Sequence, residues 1–185
     1  MAYIKNILHD DQLWINQRTP FIYPQVWGND DISNLERQLN DISLISKGGV
    51  NFKNFDFNDT TQKCFDIIHK KVTETNKKSY NFELDTYLEQ KYIEYSDNNT
   101  PNFHLGIGPE LYNQRKLTYI IHTNDPSEYE GGELHLFLNY DKIFKIPNLK
   151  GTIVIFPSFI LHRITPVTKG TKKLVIGFVG GKPFK

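Results

Sequence analysis

From Tyr80 onward the apolar residues of this chain stop repeating with a helical period and begin to alternate, in one short run after another. Tyr80–Leu84, Leu88–Tyr95, Phe103–Ile107, Lys116–His122, Gly132–Leu138, Thr152–Phe156, Arg163–Pro166 and Lys172–Val179 all read as strands. The stretches SDNN, NDPSEYEGG and TKGT between them supply turn residues. Many short strands in succession, preceded by helices, predict a mainly antiparallel barrel or sandwich with the helices on one side.

The first 79 residues read as helical and irregular support for that core, within a single domain spanning 1–185. Asp31–Leu44 places Ile32, Leu35, Leu39 and Ile42 at helical spacing, with Asp30 or Asp31 available as a cap. A second helix follows Asn58-Asp59-Thr60-Thr61, with Cys64, Ile67, Ile68 and Val72 as its apolar stripe and Lys77-Lys78 as a solvated turn beyond it. Residues 1–30, with two prolines and both tryptophans, suggest extended or irregular chain, and Trp14 and Trp27 read as packing residues.

Charge narrows the partners. The formal net charge is only +1, so no field of the kind that gathers nucleic acid is implied. The single cysteine, Cys64, cannot form an internal disulfide, which fits a reducing cytoplasm. The opening MAYIKNILHDDQ has no long apolar run, so neither a signal peptide nor a membrane span is expected.

The chemistry is concentrated in two stretches. One is His104-Leu105-Gly106, and the other is GTIVIFPSFILHRITPVTKGTKK (Gly151–Lys173), which carries His162 and, ten positions on, Lys172. Mononuclear Fe(II) sites that activate O2 hold the metal with two histidines and one carboxylate, leaving one face open. His104 and His162 supply the imidazoles; Gly106 stands where His-x-Asp would place the carboxylate. His9, His69 and His135 read as ordinary packing or surface residues, His135 facing out between the inward Leu134 and Leu136.

With RKLTYIIHTNDPSEYEGGEL (Arg115–Leu134) between them, these stretches resemble the iron(II)/2-oxoglutarate oxygenases. Within that group they look like the prolyl-4-hydroxylase-type branch, particularly its small phage and bacterial members. The resemblance runs from about Tyr80 to Lys185 and implies a double-stranded β-helix of the jelly-roll or cupin kind. It implies Fe(II) on His104 and His162, with 2-oxoglutarate as cosubstrate and ascorbate as a supporting reductant. By position Lys172 is similar to the family's cation for the cosubstrate's distal carboxylate, Lys173 facing solvent. Thr118 and His122 share the strand face that lines the cosubstrate pocket in relatives, and Tyr95 and Leu134 are further lining candidates. Thr165 is a weaker one, and Gly131-Gly132 looks like the family's hairpin glycines.

Ala or Gly in place of the carboxylate resembles the halogenases of the same superfamily, in which chloride or bromide fills the position. The expected activity is therefore oxidation of an unactivated C–H bond with a halide-competent Gly106. Three alternatives stand beside it: hydroxylation with water in that position, an Asp-to-Gly change introduced by substitution, and a non-catalytic metal- or ligand-binding module. Rescue of ligation by Glu110 would require a rearranged loop across Gly108-Pro109. The expected substrate is a small molecule or a peptidyl residue; Tyr112, Asn113 and Gln114 stand in a segment that surrounds the mouth by analogy, and Arg115 reads either as a contact for a substrate acid group or as a surface charge.

Overall fold

A computed structural model describes residues 17–48, 50–139 and 142–184; Trp14 and His9 lie outside them. Twelve strands are assigned among these residues: β1 (Phe21–Tyr23), β2 (Ile45–Lys47), β3 (Val50–Phe55), β4 (Thr86–Tyr95), β5 (Arg115–His122), β6 (Tyr129–Gly131), β7 (Leu134–Asn139), β8 (Lys142–Ile146), β9 (Ile153–Pro157), β10 (Leu161–Ile164), β11 (Val167–Gly170) and β12 (Lys172–Gly180). Two helices precede β4: α1 (Asn29–Leu39) and α2 (Gln62–Thr75). A seven-stranded sheet in the order β1-β9-β5-β12-β4-β3-β2 faces a three-stranded sheet, β10-β7-β8, and a two-stranded one, β11-β6. Every pairing is antiparallel. This is the expected double-stranded β-helix with helices on one side. No helix among the described residues is long and apolar enough to cross a membrane.

Period two sorts β5 into its layers. Leu117, Tyr119 and Ile121 point to a core shared with Trp27, Leu35, Ile68 and Val72 of the helical side. Ile120 points the other way, into a lumen cluster with Leu134, Leu136, Phe156 and Leu174. Gly177 lies opposite Tyr119 in the register, and a Cβ there would stand 2.2 Å from the tyrosine ring, so only glycine admits that ring.

Several expectations need correction. Tyr80–Leu84 is no strand: α2 runs on into a π-helical turn at Asn76–Tyr80, closed by Asn81 at φ 56°. Asn76 then grips Phe82 through both backbone groups at 2.9 Å, and the alternating aromatics fill a ring cluster with Phe21, Phe159 and Phe184. Phe103–Ile107 shrinks to a single bridge at His104, because Gly106, Gly108 and Pro109 cannot sustain a ladder. The first helix ends at Leu39, whose carbonyl accepts from Lys53 Nζ at 2.8 Å, and the chain leaves for β2. Its N-cap is Gly28; Asp31 sits three residues in and accepts from the Gly28 N–H at 2.9 Å. β1, β2 and β3, from the part expected to be helical or irregular support, extend the main sheet, and β8 lies where no strand was expected. Trp27 is buried, as expected of a packing residue.

Candidate active site

The two histidines are brought together by backbone pairing. His104 N–H donates to His162 O and His162 N–H donates to His104 O, each at 3.0 Å. Their rings lie 4.5 Å apart between centroids, tilted by 51°. Each Nδ1 sits against a carbonyl two residues back: Asn102 O at 2.9 Å for His104 and Ile160 O at 2.8 Å for His162. A carbonyl only accepts, so each Nδ1 carries a proton and Nε2 is the nitrogen left for a metal. His162 is buried and edge-on to Phe156, and burial, with His104 next, pulls its pKa down to about 4. His104 stands exposed at the mouth. Neutral imidazole is the form that binds a metal, and burial holds His162 in it.

Gly106 is buried beside them, its backbone held at both ends. Its N–H donates to Ser158 O at 2.8 Å, and its carbonyl accepts from Arg115 Nη1 at 3.0 Å. Arg115 pairs with Glu89 and is sandwiched between the Tyr112 and Phe178 rings at 4.2 and 3.6 Å, so it ties this loop to β4 and β12 instead of reaching outward. Burial lowers its pKa to about 10. Among the described residues no group of three or more His, Cys, Asp or Glu side chains gathers as a metal site, and Glu110 is exposed.

Deeper in the lumen lies a cation with no acidic partner among the described residues. Lys172 is fully buried and donates to Asn148 Oδ1 at 2.8 Å and Tyr129 Oη at 3.1 Å, both neutral partners. Burial drops its pKa to about 7. His122 is 1 % exposed, and neither of its ring nitrogens has a hydrogen-bond partner among the described residues. Burial, then the Lys172 charge, lowers its pKa to about 3. Buried polar groups are ordinarily satisfied. A lysine bonded only to neutral groups and an imidazole with no partner, on one lumen face, are what an entering carboxylate would complete. Gly132, at φ 64°, makes room: a Cβ there would stand 2.8 Å from Lys172 Cδ.

Lys172 points inward and Lys173 is half-exposed, so the expected register holds. Tyr95 lies directly opposite Lys172 in the β4–β12 pair and, with Leu134, belongs to the lumen cluster. Thr118 also faces the lumen, but beside Gly106 and bonded to Ser158 Oγ at 2.9 Å, which puts it near the histidines. Thr165 braces the hairpin through its hydroxyl, which accepts from Glu133 N–H at 2.8 Å. His135 does lie on the face opposite Leu134 and Leu136, yet it is buried there and bonded to Glu133, so the expectation of an exposed ring is corrected. Ser158, Tyr129 and Asn148 were not singled out from the sequence as site residues. Tyr129 stands two residues before the glycine pair, a usable signal, whereas Asn148 reaches Lys172 only through the packing of separate sheets.

An apolar groove of about 720 Å³ opens on the helical side, lined by Phe65, Val72, Phe82, Leu84 and Tyr87. None of the residues above borders it.

The sequence model of the 2OG-Fe(II) oxygenase superfamily matches residues 82–180. A PKHD-type hydroxylase of Picosynechococcus sp. is 39% identical over 64 residues, which make up 34% of this chain and 28% of that protein. The matched stretches cover between 28% and 41% of the curated relatives' own length. Among solved structures, a Pseudomonas putida prolyl-4-hydroxylase superposes with a TM-score of 0.73 at 14% identity, covering 89% of this chain and 94% of that one. A prolyl hydroxylase from Trichoplax adhaerens, solved with a hypoxia inducible factor peptide fragment, reaches 0.71 at 12% identity, covering 97% and 93%. With the β-helix, the facing histidines and the buried lysine in place, and with the family match spanning more than half of its length, the chain belongs to the 2OG-Fe(II) oxygenase superfamily.

Proposed function

We propose that this chain is an Fe(II)- and 2-oxoglutarate-dependent hydroxylase whose metal is held by two histidines. The observation that carries the reading is the pairing, in one lumen, of two imidazoles whose Nδ1 atoms are tied to backbone carbonyls and a buried lysine with no acidic partner among the described residues. The donor set fits both groups. His104 and His162 suit Fe(II), and Lys172, with Tyr129, Asn148 and His122 around it, suits the distal carboxylate of a dicarboxylate. When bound, the iron and its cosubstrate supply O2 activation coupled to oxidative decarboxylation.

The residues of the chain have separable tasks. Ile160 O and Asn102 O fix the tautomers that point Nε2 at the metal. Lys172 anchors the cosubstrate from the far end, so its 2-oxo acid group meets the metal in one orientation. Tyr95, Leu134 and Phe156 keep the lumen apolar around it. The exposed Leu105, Leu111 and Tyr112 rim the mouth and suit a substrate with an apolar portion, a peptidyl residue included. The named relatives are hydroxylases, which favours hydroxylation over halogenation as the outcome at Gly106.

Anaerobic binding of Fe(II) and 2-oxoglutarate, followed by O2 exposure, should yield succinate above the level of His162→Ala. Equal succinate from both proteins would sink the reading.

A further inference from the structure

His104 holds its place without the anchor that a His-x-carboxylate site gives itself. In such a site the residue two positions after the histidine is tied down by its own bond to the metal. Gly106 brings no side chain, so main-chain bonds must fix the segment before a metal arrives. Three of them run to one side: His104 pairs with His162 through both backbone groups at 3.0 Å, and the Gly106 N–H donates to Ser158 O at 2.8 Å. Past Gly106 this pairing ends, because Pro109 has no N–H to give and Glu110 turns the chain at φ 56°. From the other side the grip comes at the Gly106 carbonyl, where Arg115 Nη1 donates at 3.0 Å.

Arg115 is built into the protein for this contact. Its side chain is 11% exposed, pairs with Glu89 of β4 and lies between the Tyr112 and Phe178 rings. Burying a guanidinium costs free energy that an apolar side chain in the same slot would not incur. What arginine adds is a planar fork that donates to a carboxylate and to a carbonyl at once while both of its faces stack. The fork therefore couples the Gly106 main chain to two long strands of the main sheet, β4 through Glu89 and β12 through Phe178. His104, exposed at the mouth, is the ligand candidate that most needs such support, since His162 is buried.

We infer that Arg115 is a positioning residue for the metal: by holding the Gly106 carbonyl it keeps His104 opposite His162, in place of the tie that a carboxylate at 106 would supply. This rests on the iron reading above and names what preorganises its two-histidine site. Arg115 acts through the main chain, two residues from His104.

The test is anaerobic Co(II) titration of the full chain, followed by the visible spectrum. Arg115→Met keeps an apolar stem between the rings and removes every donor. It should bind Co(II) about 10-fold or more weakly than wild type, the range for a lost outer partner of a metal ligand, with altered bands. Arg115→Lys offers a point donor that cannot serve Glu89 and Gly106 as a stacked fork does, so its affinity should fall between the two. Leu117→Ala destabilises the helix-facing core and should keep wild-type Co(II) affinity per folded molecule, which separates positioning from general stability. An Arg115→Met protein that binds Co(II) like wild type overturns the inference. So does a Leu117→Ala protein that loses as much Co(II) affinity as Arg115→Met. Should Arg115→Met fail to fold, wild-type affinity in Arg115→Lys overturns it instead. A wild-type chain that takes up neither Co(II) nor 2-oxoglutarate overturns the iron reading as well; wild-type uptake of both, unchanged in the Arg115 variants, overturns this inference alone.

Discussion

Adjacent residues of β5 belong to two different materials. Leu117, Tyr119 and Ile121 face the helices, where they pack with Trp27, Leu35, Ile68 and Val72 in a layer of apolar contacts. Thr118, Ile120 and His122 face the lumen, where a threonine hydroxyl, an unanswered imidazole and the Lys172 ammonium are buried with few partners. Both faces are buried, yet apolar burial stabilises the fold while the polar groups of the lumen cost it free energy. The lumen face can exist because the helical face across the same strands stabilises them. Such sorting is how a small β-helix hosts a charged site without a second domain.

Four variants and one pH profile would break or sharpen that contrast. The largest effect should come from His162→Ala, which removes one of the two proposed metal donors: Co(II) affinity should fall by more than the roughly 10–100-fold typical of an outer partner, while thermal melting without metal shifts little. Next, Lys172→Met should weaken 2-oxoglutarate binding by about 2–5 kcal/mol, the cost of deleting one member of a buried charge pair. The same change should raise metal-free stability, since it removes a buried, acid-free charge.

The pH dependence gives that lysine a signature. Its folded pKa is about 7 against an ordinary 10.5, so the unfolded chain holds more protons between those values. Metal-free stability should therefore rise with pH from about 7 toward 10.5, and Lys172→Met should lack that rise. Cosubstrate affinity should move the opposite way, falling as Lys172 loses its charge. Calorimetry across pH, with and without 2-oxoglutarate, separates the two.

On the other face Leu117→Ala should cost about 2–5 kcal/mol of stability in denaturant melts and leave 2-oxoglutarate affinity per folded molecule unchanged. A cosubstrate defect there would mean that the faces are not independent. The smallest effect is expected from Gly132→Ala. Its positive φ costs about 1–2 kcal/mol, and its Cβ would press on Lys172 Cδ, so a modest loss of cosubstrate affinity should accompany the loss of stability.

What was legible in the residues follows the reach of each signal. Alternation along Lys116–His122 and Lys172–Val179 predicted long, buried strands, and β5 and β12 match closely. Alternation misled at Tyr80–Leu84, where aromatic spacing served a ring cluster beneath a π-helical turn. It was silent at β8, where Lys142–Ile146 reads KIFKI and sets two apolar residues side by side. The histidines and Lys172 were visible as a spaced motif, whereas Arg115 read equally well as a substrate contact or a surface charge. Only packing against Tyr112 and Phe178 turned it into a brace for Gly106.

The linear chain determined a mainly antiparallel β core, the two imidazoles and the glycine in place of a carboxylate, because period-two burial and side-chain chemistry are local properties; the β-helix itself was implied by the family resemblance. Tertiary structure decided what lies around that absence and around the lysine. Ser158 and Thr118 meet at Gly106, and Asn148 and Tyr129 meet at Lys172, through contacts between strands distant in sequence. Hydrogen-bond satisfaction is settled by which atoms converge, and no residue carries that information alone.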